Sequence, residues 1–217
     1  MKYKQKKNEN RKGGWQVWVD FYPNYVIKTP KTKKEIKERI IPYLKSIGKT
    51  NEIEKQSEKM IEDMKKSIKI IKNNKIPKHF IGNAEFLKKG QIKQDRIISL
   101  EEYLIKLSIE NKIKEAKKII DKVIKTIQTL WKYGIHEKTF KFNQNFGIHN
   151  SKIILMDFLE ITNNQIKVKK QLAKKPWEKI KDFEKNMSEK ILDYWIEQAN
   201  KNLTLKNLNK LWKNNLK

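Results

Sequence analysis

From Trp15 to Lys28 the sequence WQVWVDFYPNYVIK alternates apolar and polar positions on either side of Pro23 and Asn24, which predicts a β-hairpin. After Pro30 the period lengthens. Ile36, Ile40, Tyr43 and Leu44 share one helical face, Gly48 and Lys49 close that segment, and Thr50 and Asn51 restart a helix expected to run to about Asn73. Its stripe is Ile53, Met60, Ile61, Met64, Ile68 and Ile71, flanked by Glu54, Glu58, Glu62 and many lysines at helical spacings.

Beyond Pro77, residues 79–87 and 91–98 read as short strands separated by Lys88, Lys89 and Gly90, and Ser99 with Glu102 forms a capping box for another helix. Residues 112–133 carry the clearest helix, with Ile113, Ala116, Ile119, Ile120, Val123, Ile124, Ile127, Leu130 and Trp131 on one wide stripe and Gly134 as its stop. FGI and KIILMDF, joined by His149, Asn150 and Ser151, read as a small hairpin. Everything after Pro176 reads as helical, burying Trp177, Ile180, Phe183, Ile191, Trp195, Leu208 and Trp212. This order predicts an α+β protein with the sheet in its amino-terminal part and no internal repeat.

With 37% apolar and 10% aromatic residues, 217 residues can supply a sizeable core. The lack of cysteine excludes disulfide frameworks, thiolate metal sites and thiol nucleophiles, and the three histidines (His79, His136 and His149) are far apart in sequence. No apolar run approaches the roughly 18–20 residues of a membrane span, and the charged start has no apolar segment behind it, so a cytoplasmic protein is expected.

The formal charge of +26 invites a nucleic-acid partner. Yet only Arg11, Arg39 and Arg96 among the 51 basic residues are arginine, the side chain favoured for bidentate phosphate and guanine contacts. The Lys, Asn and Ile abundance is what AT-rich coding imposes without functional demand. Trp131, Trp177, Trp195 and Trp212 fall on apolar stripes, which favours packing over base stacking, whereas Trp15 and Trp18 lie near a glycine turn. Nucleic acid is the disfavoured partner.

Gly13 and Gly14 precede the first hairpin, which ends in Tyr25-Val26-Ile27-Lys28, the lysine fourteen residues after the second glycine. Asn145 is followed by FGI, a turn and IILM-Asp157-Phe158, twelve residues on. Asp157 ends the apolar run 153–156, where an unpaired carboxylate is costly. One amide and one carboxylate suffice for Mg2+, which takes its remaining oxygens from phosphates and water.

Together with the long helix before Asn145, these segments resemble the protein-kinase-like superfamily over roughly residues 13–162. The resemblance is closer to compact small-molecule phosphotransferases than to ordinary protein kinases. It implies a bilobal fold, with an N-lobe at 1–98 and a helical C-lobe at 99–217. It also implies ATP with its adenine near Gln94 to Ile98, phosphates beside Gly13, Gly14 and Lys28, and Mg2+ held by Asn145 and Asp157. A glutamate from the amino-lobe helix pairs with the lysine in active relatives. Glu54, Glu58 and Glu62 are the candidates here, with Glu58 favoured.

The pattern breaks at the catalytic loop. The position five residues before Asn145, where the family has its catalytic aspartate, is Phe140. The single acid between Asp121 and Asp157 is Glu137, which serves as catalytic base only if the loop bulges, with His136 a poorer candidate. Leu159 stands where the family has glycine, and Glu160 reads as a surface ion-pair partner or an added ligand near the cleft. The expected function is an atypical nucleotide-binding protein transferring the γ-phosphoryl group of ATP to a small molecule or protein. The alternatives are an inactive pseudokinase scaffold and a basic nucleic-acid-binding protein.

Overall fold

Alternation of apolar and polar residues gives the amino-terminal strands one face to bury, and they pair accordingly. The computed structural model describes residues 10–179 and 187–212. In it, β1 (Arg11–Gly13), β2 (Val17–Phe21), β3 (Tyr25–Pro30), β4 (Glu85–Phe86) and β5 (Ile92–Asp95) form one antiparallel sheet ordered β1-β2-β3-β5-β4. The hairpin expected around Pro23 is β2 with β3, placing Val19 opposite Lys28. Residues 79–87 are mostly not strand, because a 3₁₀ turn occupies Lys78–Ile81 and Gly82 reverses the chain at φ 59°.

Two helices separate β3 from β4. Thr32 and Glu35 form a reciprocal capping box that starts α1 (Lys33–Ser46), and α2 (Ile53–Asn73) follows a 3₁₀ turn. Ile36, Ile40 and Leu44 of α1 form a small core of their own against Ile53, Met60 and Ile61 of α2. Tyr43, expected on that buried face, is 53% exposed.

The second half of the described chain is mostly helical, with two small sheets. Ser99 accepts from the Glu102 N–H and starts α3 (Leu100–Ile109), and α4 (Ile113–Lys132) carries the predicted stripe. Eight of its residues, from Ala116 to Trp131, are buried, and the seven larger than alanine contribute roughly 1.5–3 kcal/mol of transfer free energy apiece. Strands β6 (Ile98–Ser99), β8 (Phe146–His149) and β9 (Lys152–Leu155) form one sheet. β7 (His136–Glu137) pairs with β10 (Ile161–Thr162) in the other. Asn150 and Ser151 close the β8–β9 hairpin with both residues left-handed, the turn that matches strand twist. α5 (Phe142–Asn145) is a single turn, and α6 (Gln165–Leu172), α7 (Glu189–Asn202) and α8 (Leu205–Leu211) complete the fold.

One hydrophobic core runs from Val17 and Ile92 of the amino-terminal sheet through α3, α4 and the β8–β9 hairpin to Trp195 and Leu208. Trp131, Trp177, Ile191, Trp195 and Leu208 are buried as expected, whereas Trp212 is half-buried. Ile180 and Phe183 lie outside the described residues. Among the described residues no helix is long and apolar enough to cross a membrane.

Candidate functional site

The β1–β2 turn is fixed by two hydrogen bonds at Gly14 and by close packing at Gly13. The Gly14 N–H donates to the Val17 carbonyl at 2.9 Å, and the Gly14 carbonyl accepts from Lys31 Nζ at 2.5 Å. A Cβ on Gly13 would come within 2.7 Å of the Trp18 ring. That ring is held by Glu35, which accepts from its Nε1 at 2.9 Å, and by the Lys31 ammonium 4.2 Å from its centroid. The Gly13 position is therefore closed to a larger side chain by its own sheet.

Beneath it lies a cavity of about 210 Å³ lined by Gly14, Trp15, Gln16 and Val17 from above and by Asn145, Asp157 and Glu160, among others, from below. Asn145 and Asp157 arrive together because α5 and the end of β9 are stitched by backbone. The Asn145 carbonyl accepts from the N–H groups of Met156 at 2.8 Å and Asp157 at 3.0 Å. Asp157 is half-buried, and its Oδ1 accepts from the Leu159 N–H at 3.2 Å. Asn145 Nδ2 donates to Thr139 Oγ1 at 3.0 Å, leaving its side-chain oxygen Oδ1 as the ligand atom for a cation. Asn145 and Asp157 thus present hard oxygens to one space, a donor pair that suits Mg2+ completed by phosphate and water, and Glu160 lines the same space. Among the described residues no three His, Cys, Asp or Glu side chains gather as a metal cluster.

Lys28 lies one layer behind this cavity. Its ammonium is buried, donates to the Met156 carbonyl at 2.7 Å and stands 5.6 Å from the Phe158 ring centroid. Burial pushes its pKa down, and the neighbouring Asp157 charge opposes that. Glu58 does not pair with it: on α2 it follows the fully buried Ser57, so it turns outward and accepts from Lys33 at 2.8 Å. Glu54 also engages Lys33 and Lys37, and Glu62 pairs with Lys66 at 2.9 Å. With no carboxylate of α2 bonded to it, Lys28 takes the nearest carbonyl. Gln94, expected near adenine, donates to Ile81 and Met156 carbonyls at 2.9 and 3.1 Å, and its buried Oε1 has no partner among the described residues.

Glu137 is placed in the interior rather than in the cavity. It is 3% exposed, and its Oε1 accepts from Thr139 N–H at 2.7 Å and Thr139 Oγ1 at 2.6 Å. Burial raises its pKa to about 7 against the opposing bonds from Thr139 and Asn145. Its neighbour His136 accepts from Trp131 Nε1 at 3.0 Å, and burial lowers its pKa to about 3. Both line a small internal void with Phe140, so neither serves as a base at the outer cavity as the loop stands. Phe140 takes left-handed backbone at φ 57°, which turns its ring inward to 5.5 Å from His136 and 5.2 Å from Trp177. Leu159, at the position where the resemblance leads one to expect glycine, avoids left-handed backbone and is buried, so leucine is accommodated there without strain.

Glu160 is the acid that sequence reasoning undervalued. It has no ion-pair partner within 4.0 Å among the described residues, contrary to the expected surface pair. It lines the 210 Å³ cavity and also a larger one of about 540 Å³ between α1, α2 and residues 139–141. Burial and then the Asp157 charge raise its pKa, while Lys141 and Lys138 oppose. Its place three residues after Asp157, directly behind the apolar pair Phe158-Leu159, was the available signal.

The three arginines are engaged within the fold. Arg11 forms a bidentate pair with Asp20 at 2.6 and 2.7 Å, Arg39 stands 5.5 Å from the Trp15 ring, and Arg96 donates to the Tyr22 carbonyl at 3.4 Å. The chain matches no known protein family, no curated protein and no solved structure.

Proposed function

We propose that this chain is an atypical kinase-like nucleotide-binding protein, with the triphosphate and Mg2+ of ATP in the cavity between the glycine turn and Asn145–Asp157. The observation that carries the reading is that Gly14, Asn145 and Asp157, remote from one another in sequence, line the same 210 Å³ space. The order of strands in the amino-terminal sheet and the mostly helical half that follows suit the bilobal arrangement the resemblance implies.

In this reading the phosphates lie against the turn at Trp15 and Gln16, the Gly14 N–H being held by the Val17 carbonyl, while Asn145 and Asp157 would hold the cation, which supplies charge neutralisation when bound. Lys28 sets the carbonyl of Met156 and so the approach of Asp157, a positioning role rather than a phosphate contact. The reaction is transfer of the γ-phosphoryl group to a small molecule or protein.

A thermal-shift titration with ATP and MgCl2 tests binding. Stabilisation that needs both components and disappears in Asp157→Asn supports the reading, and no shift with any nucleotide, with or without metal, defeats it.

A pseudokinase scaffold is the second reading. It is favoured by Phe140, whose ring is packed inward where a catalytic acid stands in active relatives, and by the sealed ammonium of Lys28. It requires nucleotide binding without turnover, so ATP hydrolysis and phosphoryl transfer measured on the sample that binds separate the two.

A further inference from the structure

The larger cavity has a divided character. Ile40, Tyr43, Leu44 and Ile47 of α1 and the segment following it supply an apolar wall, and Trp15 stands edge-on to Tyr43 with ring centroids 5.7 Å apart. Trp15, Tyr43 and Ile47 are 42%, 53% and 46% exposed, so this wall faces solvent although it is built for apolar contact. The opposite wall is polar, with Gln56, Thr139, Lys141 and Glu160.

Its carboxylates are not equivalent. Glu52 is tied to Lys49 at 3.3 Å and to Gln56 at 3.0 Å, and Asp63 to Lys138 at 2.9 Å. Glu160 keeps its carboxylate unengaged, and with Trp15 and Lys141 it belongs to both cavities. The two spaces therefore meet at one free acid. A volume of about 540 Å³ falls within the ordinary range for a small-molecule site.

We infer that the larger cavity is the acceptor site, and that it takes a small alcohol with an apolar or aromatic body whose hydroxyl reaches Glu160 at the junction. The inference rests on the nucleotide reading of the smaller cavity. The hydroxyl oxygen of the acceptor bonds to the γ-phosphorus of ATP. The bond from that phosphorus to the β,γ-bridging oxygen breaks, its electron pair leaves on ADP, and the hydroxyl proton passes to the Glu160 carboxylate. Glu160 is then the catalytic residue that Glu137 and position 140 do not supply. The apolar wall makes a sugar or an aminoglycoside a poor occupant, because their hydroxyls and amines would be desolvated against Ile40, Leu44 and Ile47 without partners.

Naphthylethanol is a suitable probe, titrated calorimetrically into the full chain and then incubated with it and MgATP. Saturable binding is expected, weakened about tenfold or more by Ile47→Asp and by Tyr43→Ala. Both positions are exposed, so retention of the wild-type ATP shift shows that the variants fold. Mass-detected naphthylethyl phosphate is expected from wild type and about a hundredfold less from Glu160→Gln, which should still bind the alcohol.

An ATP shift without saturable naphthylethanol binding, or binding indifferent to both cavity variants, overturns the acceptor assignment alone. Binding of both ligands without phosphate ester, or equal product from Glu160→Gln, overturns the role of Glu160. If ATP gives no shift in wild type, the nucleotide reading itself fails and takes the acceptor role with it.

Discussion

The ammonium of Lys28 donates to the carbonyl of Met156 at 2.7 Å, joining the amino-terminal sheet to the residue immediately before Asp157. One carbonyl receives a buried cation on one side and Gln94 Nε2 at 3.1 Å on the other, so the backbone entering Asp157 is held from above. This contact, rather than a helix carboxylate, determines where the lysine points.

Lys28→Met is expected to raise stability by about 1–2 kcal/mol near neutral pH, since an apolar chain of similar size replaces a buried charge and Gln94 still serves the Met156 carbonyl. The native state depresses the Lys28 pKa below 10.5, so wild type gains stability as pH rises from that depressed value towards 10.5. The advantage of the variant should shrink over that window in urea unfolding. An advantage that grows with pH would contradict the assignment.

Glu137→Gln isolates a second buried titration. The native pKa of about 7 exceeds the ordinary carboxyl value of 4.5, so the native state binds the proton more tightly and wild type loses stability as pH rises between those values. Relative to wild type, the glutamine variant should gain on the order of 3 kcal/mol across that interval and then stay level. The variant should also reveal His136, whose native pKa of about 3 lies below 6.5, as stability lost when pH falls from 6.5. Equal pH profiles for the two proteins would place Glu137 in water.

Phe140→Asp, which places an acid where the proposed kinase-like reading expects one, should not confer or raise phosphoryl transfer. The side chain there faces His136 and Trp177, so an aspartate would be buried without partners at a cost of about 3–5 kcal/mol. A drop in melting temperature with no increase in phosphoryl transfer is expected. Higher turnover would mean that the loop swings outward when the nucleotide binds.

Gly147→Ala and Gly48→Ala separate crowding from backbone strain. A Cβ at Gly147 would strike the Ile98 carbonyl and Ile97 side chain across the β6–β8 pair, costing about 2–3 kcal/mol. At Gly48 nothing lies within 4 Å, and only its φ of 70° opposes alanine, at about 1 kcal/mol. Denaturant midpoints should rank the two in that order.

Elements with a long, unambiguous period were legible from residues alone. The α4 stripe, the α2 stripe ending at Asn73, the β2–β3 hairpin and the Asn150–Ser151 turn all follow from local pattern. Two-residue strands such as β7 and β10 were not, because their pairing is set by α2 and the loop they hold, for instance by Ser67 Oγ accepting from the Ile161 N–H at 3.1 Å. Helix α6 and strand β1 also escaped the pattern, the first being short and the second exposed along its length.

For the site, the residues themselves singled out Asp157, since an unpaired carboxylate after an apolar strand is costly, and Asn145 by its spacing from it, whereas a glycine turn is commonplace and Gly14 stood out only through the combined pattern. Only the tertiary structure decided that these three share a cavity, that Lys28 and Glu58 do not meet, that Glu137 faces inward and that Glu160 stands between two spaces. Periodicity reports which face of an element is buried. The direction of a charged side chain depends on which partner is nearest across the fold, and that distance is absent from any local window of sequence.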